Sequence, residues 1–248
     1  FLGLAGSIFF IKDTRHHVAM ETISSKIPLL KNAFMDTTFR HKNLSSVTQA
    51  GLVNNLNDGM VWGIFPILLV TKDFALHEIG LITAVYPAVW GIGQLFTGKM
   101  ADKFCKKDML YLGMLLQALA LLSIVWAQTM LHFVALSTVL GWGTAMVYPT
   151  FLATVADNTH PHDRAQSIGI FRLWRDLGYA IGAIITGVIA DLVNMNAAIL
   201  FIGFLTFISA LIIRYRMSCG DNSGLKIWSW LTCKHNQINE GSKKLHRA

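Results

Sequence analysis

Apolar residues gather into six long runs separated by short polar stretches, at about residues 47–71, 79–98, 109–126, 131–156, 167–190 and 197–213. A hydrocarbon layer about 30 Å thick takes about 20 residues of helix rising about 1.5 Å each, so every run is long enough for one crossing. Short linkers favour antiparallel neighbours. The pattern predicts an all-α membrane protein with a six-transmembrane-helix bundle over residues 47–213. Residues 1–11 are apolar but only roughly half a span long. They are read as the end of a truncated transmembrane helix, and the chain as a fragment of a longer protein. Residues 12–46 form a polar connector, in which the stretch from Ile27 to Met35 is expected to make a short interfacial helix. Residues 214–248 form a basic tail whose Ile227, Trp228 and Trp230 suit the headgroup level.

Composition agrees with this picture. The chain is 53% hydrophobic and 14% charged, against about 25% charge in soluble domains, and its mean hydropathy is +0.48. A soluble enzyme, a disordered chain and a disulfide scaffold are excluded. The net charge of +7 would suit nucleic acid if the cations formed one face, but their positions argue otherwise. Six Lys and Arg fall in the connector, four in the 98–108 loop, one at Arg164 and seven in the tail. Lys72 alone falls on the other side, and only Arg172 and Arg175 lie inside a run. Eighteen against one is a positive-inside bias, which predicts a cytoplasmic connector and tail and no nucleic-acid partner. Cys105, Cys219 and Cys233 then face the reducing side, where structural disulfides are not expected.

Polar residues inside apolar runs are costly and mark candidate sites. Asp58 lies mid-span in the first run, with Asn54 one turn before it and Asn57 beside it. These residues suit either a proton- or substrate-binding cavity or an interhelical hydrogen-bond cluster. Arg172, Arg175 and Asp176 lie in the fifth run; Arg172 and Asp176, four apart, are expected to pair, leaving Arg175 without a local partner. Tyr86, Trp90, Gln94 and Thr97 form a polar and aromatic stripe on the second run. Tyr148 and Pro149 in the fourth run mirror Tyr86 and Pro87, and either proline frees a carbonyl. Gly178 and Gly182 suit close helix packing. The third and sixth runs, nearly uniform apart from Gln117, read as peripheral and lipid-facing.

A shift of 89 residues lays Gly93, Thr97, Gly98, Ala101 and Asp102 on Gly182, Thr186, Gly187, Ala190 and Asp191. The two segments run in opposite directions through the bilayer, as in inverted three-helix repeats. The stretch Gly98-Lys-Met-Ala-Asp102-Lys103-Phe-Cys105-Lys106-Lys107 resembles the loop motif of the major facilitator superfamily, although Cys105 stands where that family usually has a turn glycine. Arg172-Leu-Trp-Arg175-Asp176-Leu-Gly178-Tyr-Ala-Ile-Gly182 and Asn55-Leu-Asn57-Asp58-Gly59 are similar to sequences of its bacterial members.

The resemblance implies the C-terminal half of a twelve-helix transporter moving a small solute by alternating access, with Gly98, Asp102, Lys103, Lys106 and Lys107 as a gating loop. It also implies a missing N-terminal six-helix half and a place in the bacterial inner membrane. Asp58 alone points to protons as coupling ion and to export. An uptake porter and a non-transporting scaffold or sensor are the alternatives. The spans hold no paired acids, histidine cluster or nucleophile with its base, so no enzyme chemistry is expected. His160 with His162, and Cys233 with His235, lack the four ligands of a structural zinc. Neither metal nor cofactor is expected.

Overall fold

A computed structural model describes residues 21–23, 25 and 27–219. The apolar stretch 1–11, the connector up to residue 20 and the aromatic tail with Cys233 and His235 lie outside the described residues. The long helices are α1 (Lys42–Gly63), α2 (Phe65–Thr71), α3 (Leu76–Lys103), α4 (Lys106–Ile124), α5 (Met130–Asp157), α6 (Pro161–Leu192) and α7 (Met195–Arg216). Five of them, α3 to α7, are long and apolar enough to cross a membrane. The first apolar run departs from the single span expected of it and folds as two helices. α1 has 22 residues, but Asn54, Asn55, Asn57 and Asp58 make it more polar than the other five. The chain breaks at Ile64, and Pro66 falls in the first turn of α2, where its missing N–H removes no helical hydrogen bond.

The helices overrun their apolar runs because the capping residues are polar. The side chains of Thr129, His160 and Asn194 accept the N–H groups of His132, His162 and Ala197 at 3.4, 3.2 and 2.7 Å. The Glu78 carboxylate accepts Ala75 N–H at 2.8 Å. Between Ile27 and Met35 only Ala33–Met35 is helical, continuing into a π-turn at Asp36–Arg40. The longer interfacial helix expected there does not form: Pro28 disfavours a helical Ile27, and Asn32 caps the short helix by accepting Met35 N–H at 3.0 Å.

α1 packs along α6 and α3 along α5; α4 lies against α5 and α7, and α7 also touches α1 and α6. Taken as two triplets, α1, α3, α4 and α5, α6, α7, these seams are equivalent, because the first helix of each triplet packs on the second helix of the other. The echoed glycines occupy matching seams. A Cβ on Gly93 would lie 2.7 Å from the Ala145 Cβ, and one on Gly182 would lie 2.7 Å from Leu56 backbone atoms. Among the glycines of the described residues the tightest approach is on the α1–α6 seam, where a Cβ on Gly178 would lie 2.2 Å from the Leu52 carbonyl oxygen.

This packing refines one expectation and corrects another. First, within the described helices the third and sixth spans, expected to be peripheral, are more buried than the second and fifth: the apolar windows of α4 and α7 are 56% and 44% buried, against 22% for α3 and 17% for α6. α4 is wedged between two helices and turns Gln117 inward. Second, Cys105 and Cys219 form a disulfide, with Cα atoms 5.9 Å apart. The packing of α7 on α4 brings together two residues separated by 114 positions, which spacing alone could not reveal. Cys105 has φ −59°, so the turn makes no demand for glycine there.

Candidate functional site

Four helices contribute to one polar and aromatic cluster. Asp58 on α1 is 6% exposed, and its carboxylate accepts a short hydrogen bond from the Tyr86 hydroxyl on α3. Thr144 on α5 lies 3.3 Å from the same hydroxyl. From Tyr86 the aromatic surface continues through Trp90, stacked at 6.2 Å, to Tyr148 on α5, edge-on to Trp90 at 5.2 Å. Trp62 abuts Tyr86 at 6.5 Å. Arg175 on α6 ends the series: its guanidinium lies 5.5 Å from the Tyr148 ring and donates to the Tyr148 hydroxyl at 3.1 Å.

Asp176 pairs with Arg175, accepting its Nε and Nη2 at 2.8 and 2.7 Å. The pairing of Arg172 with Asp176 expected from their spacing is replaced by a contact between adjacent residues. Arg175 leans toward α5, where Tyr148 supplies a ring and a hydroxyl, and this side-chain direction brings it to the Asp176 carboxylate. Arg172 is exposed, and Gln94 is half-buried on the α3 stripe. The buried Thr97 donates to the carbonyl of Ala145 at 2.6 Å. Pro149, four residues on, has no N–H to offer that carbonyl, so a proline in one helix creates the acceptor used by a threonine in another.

A second set of polar side chains runs from the same stretch of α1 in another direction. Asn57 donates to Gln117 Oε1 at 2.7 Å, Gln117 donates to Asn54 Oδ1 at 3.0 Å, and Thr206 donates to Asn57 Oδ1 at 2.7 Å. This ladder joins α1, α4 and α7. Asn54, 1% exposed, therefore belongs to the ladder while Asp58 belongs to the cluster, although the two lie one turn apart. Gln117, Thr206, Thr144 and Trp62 are the members that sequence reasoning did not assign to a site. A lone amide in the otherwise apolar third run was the available signal for Gln117.

The ends of α1, α3, α4, α5, α6 and α7 that carry the basic loops form a cleft of about 630 Å³, lined by Asp102, Lys106, Lys107, Asp157 and Arg164 among others. Asp102 and Lys103 are exposed, and Lys106 at the start of α4 forms an ion pair with Asp157 at the end of α5. Gly98 faces open space. The connector is tied to this side. Leu30 N–H donates to Asp163 at 2.9 Å, Trp174 donates to Thr38 at 3.1 Å, and Arg164 donates to Glu21 at 2.8 and 3.2 Å. Those hydrogen bonds, and then the charge of Arg164, hold the Glu21 carboxyl below its ordinary pKa. On the opposite side Lys72 donates to the Ala127 carbonyl at 3.0 Å.

The family model described as Major Facilitator Superfamily matches residues 48–219. The chain is 26% identical over 174 residues to an uncharacterized MFS-type transporter of Methanocaldococcus jannaschii, covering 69% of this chain and 44% of that protein. It is 23% identical over 174 residues to the quinolone resistance protein NorA of Staphylococcus aureus, covering 69% and 45%. Among solved structures, the peptide transporter POT in complex with sulfate superposes with a TM-score of 0.68 at 14% identity, covering 95% of this chain and 49% of that one. The chain spans less than half the length of these relatives.

Proposed function

The chain belongs to the major facilitator superfamily, a family of multi-pass membrane transporters and not of enzymes, and from that premise we propose that it acts as one half of a proton-coupled exporter of small organic molecules. The observation that carries this reading is the Asp58–Tyr86 hydrogen bond, buried where α1, α3 and α5 meet. A carboxyl group in a bilayer is functional by default, because its charge must be compensated or its proton retained. Here Tyr86 donates to it, and the aromatic surface leads from it to Arg175, so gain or loss of the Asp58 proton alters the field felt by both. The exchange of that proton with the two sides supplies the coupling step.

Export is supported by relatives that include NorA and the multidrug resistance protein MdtH of Aeromonas hydrophila, 25% identical over 133 residues. α3 and α6, with the least buried windows, offer the faces that the other six-helix half would cover. The basic side faces the cytoplasm in this reading, with the Asp102 loop acting in gating. The test is transport by the full-length protein in proteoliposomes, driven by an imposed pH gradient and measured with fluorescent organic cations and a metabolite panel. Asp58→Asn is expected to remove the response to the gradient while the protein still folds. Gradient-driven transport by that variant at the unmodified rate would reject the coupling role.

A further inference from the structure

Cys105 and Cys219 bring together two parts of the fold that the transport reading leaves unconnected. Cys105 occupies the N-cap position of α4 inside the loop that carries Asp102, Lys103, Lys106 and Lys107, and it is fully buried. Cys219 follows the end of α7 and is partly exposed. Their neighbours join every chain return on this side. Ser218 N–H donates to Asn43 at 3.1 Å, Asn43 donates to Asn158 at 2.8 Å, and Lys106 pairs with Asp157. Both cysteines line the 630 Å³ cleft. The disulfide is therefore the covalent member of a ring whose other members are hydrogen bonds and one ion pair.

We propose that Cys105–Cys219 is a reversible, redox-controlled staple that pins the Asp102 loop to the end of α7. This rests on the proposed orientation, which puts the pair in a compartment where thiols are kept reduced and a disulfide forms only on oxidation. The oxidant is a low-molecular-weight disulfide such as glutathione disulfide. The more exposed Cys219, as thiolate, attacks one of its sulfurs and releases one glutathione thiolate. Cys105 then gives up its proton, attacks the Cys219 sulfur of the mixed disulfide and releases the second. Two protein thiols lose two electrons and two protons; one glutathione disulfide becomes two glutathione thiols. With the staple open, the Lys106–Asp157 pair still joins the loop to the end of α5, and its partly exposed charges are weakened by salt.

The Asp108 carboxylate has an oxygen within 4.8 Å of both sulfurs, so the reduced pair has one other chemistry to be tested, ligation of a divalent metal. The experiment uses the full-length protein in native membranes opened to solutes, treated with glutathione disulfide or dithiothreitol, trapped with N-ethylmaleimide and digested for mass spectrometry. The Cys105–Cys219 crosslinked peptide is expected after oxidation and is lost on reduction. Amide exchange over residues 99–107 slows on oxidation, and in Cys219→Ser it does not respond. A crosslink absent under every condition, or one that persists in dithiothreitol under native conditions, would overturn the proposal. So would zinc held by the reduced protein, lost in Cys219→Ser and blocking oxidation. In intact cells, opening of the crosslink by an impermeant phosphine added outside would overturn the orientation beneath the proposal and leave the crosslink itself standing.

Discussion

Asn54, Asn57 and Asp58 lie on a single turn of α1, yet they serve two different structures. The amides enter a neutral ladder through Gln117 and Thr206, joining α1 to α4 and α7. The carboxylate enters the cluster of Tyr86, Thr144, Trp90, Tyr148 and Arg175, joining α1 to α3, α5 and α6. Amides satisfy one another in pairs and carry no net charge, so such a ladder glues helices and has nothing to exchange with the aqueous phases. A carboxyl beside a phenol and near a guanidinium has a proton to exchange. The polar side chains of one short stretch of α1 are thus divided between a neutral ladder and a cluster that contains a titratable group, the one to which the proposed coupling is assigned.

The largest effect is expected from a substitution in the cluster, where transport and stability should respond differently. Asp58→Asn abolishes the response to a pH gradient in the full-length protein and shifts its thermal unfolding in detergent little. Equal losses of both would merge the two structures into one. Next in size is Gly178→Val on the α1–α6 seam. Its Cβ meets the Leu52 backbone at 2.2 Å, so α6 must move away from α1, and overpacking of this kind costs about 1–3 kcal/mol or more. The folded yield measured by size-exclusion chromatography falls sharply, and Arg175 is displaced with the helix.

Gln117→Leu strips Asn54 and Asn57 of a partner each, at a cost of about 1–3 kcal/mol for buried groups left unsatisfied. Unfolding shifts to lower temperature while gradient-driven transport keeps its pH profile. A changed pH profile would place the ladder in the coupling machinery. Tyr148→Phe gives the smallest effect. Arg175 keeps the ring and the Asp176 carboxylate and loses one hydroxyl acceptor, a change of about 0.5–1.5 kcal/mol. A modest rise in the substrate concentration needed for half-maximal transport, with the pH response retained, is the expected result.

Much of this molecule was legible in its sequence for a simple physical reason: burial in lipid imposes length and polarity on each segment separately. The five apolar helices, the basic side and the cost of Asp58 at mid-span are all one-dimensional properties. The broken first span was less legible, because Pro66 sits inside an apolar run and its effect depends on the backbone on either side. The echo between Gly93 and Gly182 was readable as a repeat, and the fold gives it meaning as two equivalent seams.

What the tertiary structure alone decided is the set of partners. Spacing on a helix made Arg172 and Asp176 a pair, but Arg175 takes Asp176 because Tyr148 on α5 draws its side chain that way. Gln117 looked incidental in an apolar run until α4 proved to be wedged against α5 and α7. Cys105 and Cys219 were two unrelated thiols until the end of α7 came to rest beside the start of α4. A sequence specifies what each segment costs to bury; which distant group repays that cost depends on how helices far apart in the chain are packed.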